Sequence, residues 1–282
     1  GFNQASLISN NGQVDFEIGS AGYVEKLILE LEFTAANPVT VLPHYLIDRI
    51  EFLSTEGNIM STVYGDNVYA VKLHKTLEQH NREKSAENLD SSYNGVSVAA
   101  ATLKRINLHI PCFIDGTQIK LSAVHNKMIA RFYFSPNGVT AGAASDISVS
   151  LCDVIQITQQ LSGALEALEQ KRKSHGLFKF RFLNPVRIAS QTLAMTASSQ
   201  YDIRLTSANG LYAYLFFVIR TNPISSANIN SFLAIDSFEL LDQDNTIVGI
   251  KTTNEMHKYD SLMFNGDVIN FNAYASNYLS GW

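Results

Sequence analysis

The sequence predicts an all-β protein, built as two tandem antiparallel β-sandwiches joined by one α-helix. Three observations support this prediction. Many short segments alternate apolar and polar residues, clusters of Gly, Pro, Asn and Asp separate these segments, and one stretch of sequence recurs further along the chain. A length of 282 residues is enough for two domains of ordinary size.

The first strands are predicted by a two-residue period. Val14, Phe16 and Ile18 share one face of one segment, and in the next the apolar residues from Leu27 to Phe33 alternate with Glu30 and Glu32. This alternation is typical of a strand with one buried face. The later segments that predict strands are RINLHIPCFI, IKLSAVHN, MIARFYFS and DISVSLC.

A β-hairpin is predicted between Asp48 and Gly65, with its turn at Glu56-Gly57-Asn58, because Gly and Asn tolerate the positive φ of tight turns. The polar stretch from Gln79 to Gly95 follows it and predicts a long exposed loop.

The repeat pairs LIDRIEFLSTEGNIMS, which starts at Leu46, with AIDSFELLDQDNTIVG, which starts at Ala234, so its offset is 188 positions. Identical residues at this offset include Ile47 and Ile235, the second residues of the two stretches. The order of elements also recurs, since a strand, a Ser-Ala turn and a long apolar strand precede each hairpin. Two similar domains are the economical interpretation.

The helix is predicted over 153–176, between the two copies of the repeat. Asp153 is the expected N-cap, Gly176 the expected terminator, and the apolar residues recur at spacings of three and four from Val154 to Leu168. The predicted domains are therefore 1–152 and 177–282. The second is shorter, so we expect it to be incomplete, with a chain that continues beyond Trp282 or a reduced domain.

The sequence contains few residues that suggest catalysis or ligand binding. Nucleotide-binding, zinc-protease and serine-hydrolase motifs are absent, so no catalytic residue and no cofactor are predicted. Asp242 and Asp244 are kept as calcium candidates, although their place in a predicted hairpin turn favours turn formation. Cys112 and Cys152 are expected to be buried thiols.

The composition of the chain indicates which kinds of partner its surface suits. A net charge of −5 argues against a surface that binds nucleic acid throughout, and no segment has the roughly 20 apolar residues of a membrane span. Charged residues make up only 17% of the chain, which suits a surface covered by neighbouring subunits.

Three features together resemble the double jelly-roll major capsid proteins of tailless, internal-membrane-containing icosahedral bacteriophages of the corticovirus and finnlakevirus kind. They are the start from Val14 to Phe33, the hairpin with its second copy, and the helix from Asp153 to Ser174. The resemblance implies a non-enzymatic coat protein located in the virion. It also implies homotrimers that form pseudo-hexagonal capsomers and tile an icosahedral shell around a membrane and genome. Its implied partners are further copies of itself, minor capsid or penton proteins, and the internal viral membrane.

Two alternatives stay open. A glycan-binding or receptor-binding β-sandwich of a viral fibre or lectin would need exposed aromatic residues beside carboxylates. A jelly-roll enzyme would need two carboxylates that face each other across a cleft.

Overall fold

The structure is a computed structural model that describes residues 4–19, 23–54, 56–65, 68, 96–110, 128–159, 162–164, 167–168, 171, 194, 200–202, 237–241 and 247–253. Twelve strands and four short 3-10 helices lie in these ranges. The strands are β1 (Gln13–Ile18), β2 (Tyr23–Ala35), β3 (Val39–Val41), β4 (Ile47–Ser54), β5 (Ile59–Tyr64), β6 (Val96–Val98), β7 (Leu103–Ile110), β8 (Met128–Phe134), β9 (Val139–Ala141), β10 (Ile147–Gln159), β11 (Ser237–Leu241) and β12 (Ile247–Thr253). The 3-10 helices are η1 (Gln4–Ser6), η2 (Pro43–Leu46), η3 (Pro136–Gly138) and η4 (Ala144–Asp146).

The first ten strands form three antiparallel sheets. A four-stranded sheet has the order β1-β8-β4-β5, a three-stranded sheet has the order β10-β2-β7, and a small sheet has the order β6-β3-β9. Strands that are distant in sequence are neighbours in each sheet, as in a sandwich with crossing connections. The predicted all-β class is confirmed in the described residues.

The core lies between the inner faces of these sheets. Along β8 every second residue from Met128 to Phe134 is buried, as the predicted two-residue period requires. At its centre Phe132 meets Phe16 edge to face, with ring centroids 5.6 Å apart, and is itself fully buried. The apolar residues that the alternation predicted to share one buried face therefore do face the core.

The predicted hairpin is β4 and β5. At its turn Gly57 has a φ of +83°, which a side chain rarely adopts. Ser54 closes the turn, because its hydroxyl accepts hydrogen bonds from the backbone N–H groups of Glu56 at 3.3 Å and Asn58 at 3.2 Å. The tight turn predicted at Glu56-Gly57-Asn58 is therefore confirmed, with its positive φ at Gly57.

The second copy of the repeat contains an equivalent hairpin. Leu53 pairs with Ile59 beside the first turn, and Leu241 pairs with Ile247 beside the second, so both partners keep the 188-residue offset. A register irregularity adjoins each of these pairs. The duplication is thus supported by strand register as well as by sequence. The extent of the second domain stays a prediction, because most of 177–282 lies outside the described residues.

The start of the predicted helix is wrong. Asp153 and Val154 belong to β10, which continues to Gln159 and pairs with β2 along its length. A bulge at Ser150 changes which residues of β10 face the core, so that Cys152 and Val154 point inward. The three-residue spacing of Val154 and Ile157 suggested one helical face, but in the strand Val154 packs against the core and Ile157 is 39% exposed on the other side. Pairing with the 13-residue β2 holds this segment as a strand.

Helical backbone occurs at residues 163–164, 167–168 and 171. The rest of the predicted connecting helix lies outside the described residues, as does the predicted loop from Gln79 to Gly95. Within the described part of the chain, no helix is long and apolar enough to cross a membrane.

Candidate assembly surfaces

The outward side chains of the four-stranded sheet form a polar surface, which we call the four-stranded face. Strand register aligns these side chains in rows across the sheet. One row runs through Asp15, Arg131, Glu51 and Thr62, and the next contains Tyr133, Arg49 and Tyr64. In the first row carboxylates and a cation thus alternate from strand to strand, an arrangement that stabilises cross-strand pairing.

Arg131 ties β8 to the edge strand β1. Its guanidinium donates from Nε to Asp15 Oδ1 at 2.8 Å and from a terminal nitrogen to Asp15 Oδ2 at 2.9 Å. This two-point geometry is the favoured one for arginine and a carboxylate. The hydrogen bond from Arg131 lowers the pKa of Asp15 below its usual value.

Glu51 lies at the centre of the four-stranded face. One of its oxygens accepts from Arg49 Nε at 2.9 Å, and the other accepts from the Tyr133 hydroxyl at 3.0 Å. The Arg49 guanidinium also stacks over the Tyr133 ring, 3.7 Å from the centroid, and donates to Asp48 at 3.0 Å. Two strand side chains, Arg49 and Tyr133, therefore both donate to the carboxylate of Glu51, whose side chain is only 12% exposed.

The three-stranded sheet has a corresponding cluster on its outer side. Arg105 on β7 donates to Glu32 at 2.7 Å and lies 3.3 Å from a Glu30 oxygen. Ser150, at the bulge of β10, donates to Glu32 from the other side, with its hydroxyl 3.1 Å from a carboxylate oxygen. Arg105 first, and then Ser150, lower the pKa of Glu32. All three strands are connected through this one glutamate.

Gln156 joins the two larger sheets at their edge. Its side-chain amide accepts from the Gly19 N–H at 2.8 Å and donates to the Gly19 carbonyl at 2.9 Å. The amide thereby substitutes for a strand partner where β1 ends, because it satisfies one backbone donor and one acceptor.

The predicted site residues have different outcomes. Asp242 and Asp244 lie outside the described residues, as does Cys112. Cys152 packs against the core, where burial raises the pKa of its thiol to about 12. In the described ranges no group of three His, Cys, Asp or Glu side chains is placed to hold a metal ion.

Asp48 and Glu51 recur at the 188-residue offset as Asp236 and Glu239, and this recurrence predicts a structural role, such as satisfying backbone at a strand end. Their role is structural, but their partners are the side chains of Arg49 and Tyr133. No sequence pattern pointed to Arg131 or Arg105, since an arginine at an outward strand position does not reveal its cross-strand neighbour. A carbohydrate platform is disfavoured here, because Arg49 covers the face of the Tyr133 ring.

Comparisons with known proteins show the fold. No protein-family model and no curated protein sequence matches the chain. The chain is similar to the crystal structure of the STIV MCP, with a TM-score of 0.58 and 12% identity over 96% of this chain and 80% of that one. It is also similar to the PBCV-1 virus capsid, with a TM-score of 0.56 and 12% identity over 96% of this chain and 73% of that one.

A third structure, the atomic structure of Sulfolobus Turreted Icosahedral Virus, has a TM-score of 0.56 and 13% identity over 96% of this chain and 75% of that one. These neighbours are double jelly-roll major capsid proteins. The predicted class of antiparallel jelly-roll sandwiches is confirmed by this similarity. The bacteriophage group and the connecting helix stay predictions.

Proposed function

We propose that this protein is a major coat protein, a non-enzymatic component of the capsid of an icosahedral virus. The observation that carries the proposal is the similarity of 96% of the chain to capsid proteins, at TM-scores of 0.56 to 0.58. A match over nearly the whole chain includes both halves of a duplicated fold. A single shared sandwich would say far less, because sandwiches serve many functions.

The surfaces of the sandwich support this proposal. Several of the outward charges in the described residues are used within the sheets, as Arg131 with Asp15, Arg49 with Glu51, and Arg105 with Glu32 show. Such pairing holds the outward side chains in one arrangement, which suits a subunit that repeats the same contact in many copies. An enzyme would instead require unpaired, perturbed groups that converge in a cleft.

The proposed assembly and the kind of virus follow from the resemblance of the sequence to bacteriophage coat proteins. Each chain would contribute two jelly rolls, so a homotrimer would present six around its axis and form a pseudo-hexagonal capsomer. Capsomers, together with minor capsid or penton proteins, would close a shell over a membrane that holds the genome. The virus would be a tailless bacteriophage of the corticovirus or finnlakevirus kind.

The test begins with the mass of the purified chain in solution, measured by light scattering. A stable species at three times the chain mass of 31.2 kDa is the expected result. Electron microscopy of that species under assembly conditions should then show hexagonal outlines and closed shells. A monomer at all concentrations that forms no shell would contradict the proposal, and a glycan-binding screen would then test the alternative of a binding module.

A further inference from the structure

The outer side of the three-stranded sheet has a second feature, which adjoins the Arg105 cluster at Glu30. Three cross-strand pairs of β10 and β2, at every second position, point outward beside the edge of this sheet as the described residues form it. We call them the β10–β2 patch, which consists of Asp153 with Glu30, Ile155 with Ile28, and Ile157 with Lys26.

The centre of the β10–β2 patch is apolar and accessible. Ile155 is 42% exposed and Ile157 is 39% exposed, although both are on a regular strand whose opposite face is packed in the core. Ile28 beside them is half-buried. Exposed branched residues on a long edge strand promote association unless something covers them.

The ends of the patch carry opposite charges. Lys26 at one end and Asp153 at the other are both exposed, and neither forms an ion pair with another described residue. Asp153 uses one oxygen to accept from the Val154 N–H at 2.7 Å, and Glu30 beside it is held by Arg105 at 3.3 Å. The exposed lysine and aspartate are therefore available for ionic contacts outside the sheet.

We propose that the β10–β2 patch binds the same patch of a second copy of this chain across a two-fold axis. An axis through the Ile155–Ile28 pair would turn the patch end for end. Each Lys26 would then meet the partner copy's acidic end, and the isoleucines of both copies would pack together at the centre. The charged ends lie four strand residues apart, about 13 Å, so both ionic contacts can form at once. An isologous contact of this kind needs one self-complementary surface, and the patch has that pattern.

This inference deepens the proposed function, because a two-fold contact is distinct from the contact that closes a trimer. In a coat it would join one capsomer to the next. It does not depend on trimers, since the same patch would pair two single chains.

The experiment uses the full chain with Lys26→Asp and Asp153→Lys, each alone and then mixed. Analytical ultracentrifugation across a concentration series measures the mass-doubling step, from trimer to hexamer or from monomer to dimer. Each single variant places like charges together twice per contact, so we expect the midpoint concentration of doubling to rise by roughly tenfold or more. In an equimolar mixture, a contact between the two different variants pairs an aspartate with a lysine at both ends of the patch. Mass doubling should therefore return, through pairs of unlike chains.

Two further variants separate the patch from general surface effects. Ile155→Thr preserves strand propensity but removes apolar area and should weaken doubling. Ile59→Thr changes an isoleucine that is 59% exposed outside the patch and should leave doubling unchanged. Circular dichroism and thermal melts establish that all variants fold.

The inference is overturned if the wild type shows no mass doubling. It is also overturned if the single charge variants and Ile155→Thr double in mass at the same concentration as the wild type. It is also overturned if the mixture does not recover. These outcomes are distinct from failure of the proposed function, which would be the absence of a trimer and of shells. Dimers without trimers would support the patch contact and contradict the coat-protein proposal. Trimers whose further association is unchanged by these variants would support the coat-protein proposal and contradict the patch contact.

Discussion

Glu51 gives the sharpest test of how the four-stranded face holds together. The Glu51→Gln substitution preserves shape but removes the charge that accepts from Arg49 Nε at 2.9 Å and from the Tyr133 hydroxyl at 3.0 Å. The glutamine has one oxygen for two donors, so its amino group must face one of them. Hydrogen bonds to a charged group contribute roughly 1.5–3 kcal/mol each, and partial exposure reduces this. We expect Glu51→Gln to lower the free energy of unfolding by about 2 kcal/mol.

Asp48→Asn is the matched control, because Asp48 accepts from the same guanidinium at 3.0 Å but its side chain is 51% exposed. It should cost less than about 0.5 kcal/mol, as exposed ion pairs usually do. Urea unfolding followed by circular dichroism measures both values.

A double-mutant cycle with Tyr133→Phe isolates the hydroxyl, because phenylalanine keeps the ring under Arg49. Glu51 and Tyr133 should couple by at least about 0.5 kcal/mol. Equal losses for Glu51→Gln and Asp48→Asn, or a coupling of zero, would refute the central role of Glu51.

Three other predictions follow from the same structure. The pKa values of Asp15 and Glu32 lie below their ordinary 3.8 and 4.5. Their stabilisation is therefore present at neutral pH and is lost as the pH falls below those values, so urea midpoints should drop from pH 5 to pH 3, and drop less in an Asp15→Asn, Glu32→Gln double variant. Phe132→Ala should destabilise the chain by about 3–5 kcal/mol in urea unfolding because Phe132 is fully buried, and Phe132→Leu should cost clearly less. Gly57→Ala, at a φ of +83°, should cost about 1 kcal/mol, whereas Gly163→Ala, in helical backbone with open space around it, should be neutral or stabilising by thermal melt.

The error at β10 shows why the fold could not be read completely from local pattern. Val154 and Ile157 fit a helical stripe, and Asp153 fits an N-cap. In the structure a bulge at Ser150 shifts the alternation, and the hydroxyl of Ser150 bonds to the Glu32 carbonyl at 3.1 Å across the sheet. Local sequence contains no record of a partner strand more than 100 residues away, so pairing overrode the apparent period.

The sequence alone determined the β class, the inner faces and the duplicated hairpin, because these depend on alternation, on turn residues and on recurrence. It predicted that Leu53 and Leu241, and likewise Ile59 and Ile247, would occupy equivalent places, and the register agrees. Tertiary structure decided which outward side chains meet. Arg131 reaches Asp15, and Asp153 lies beside Glu30, only because strands distant along the chain become neighbours in a sheet. The surfaces proposed for assembly depend on those pairings, which is the physical reason that they became visible only in the folded chain.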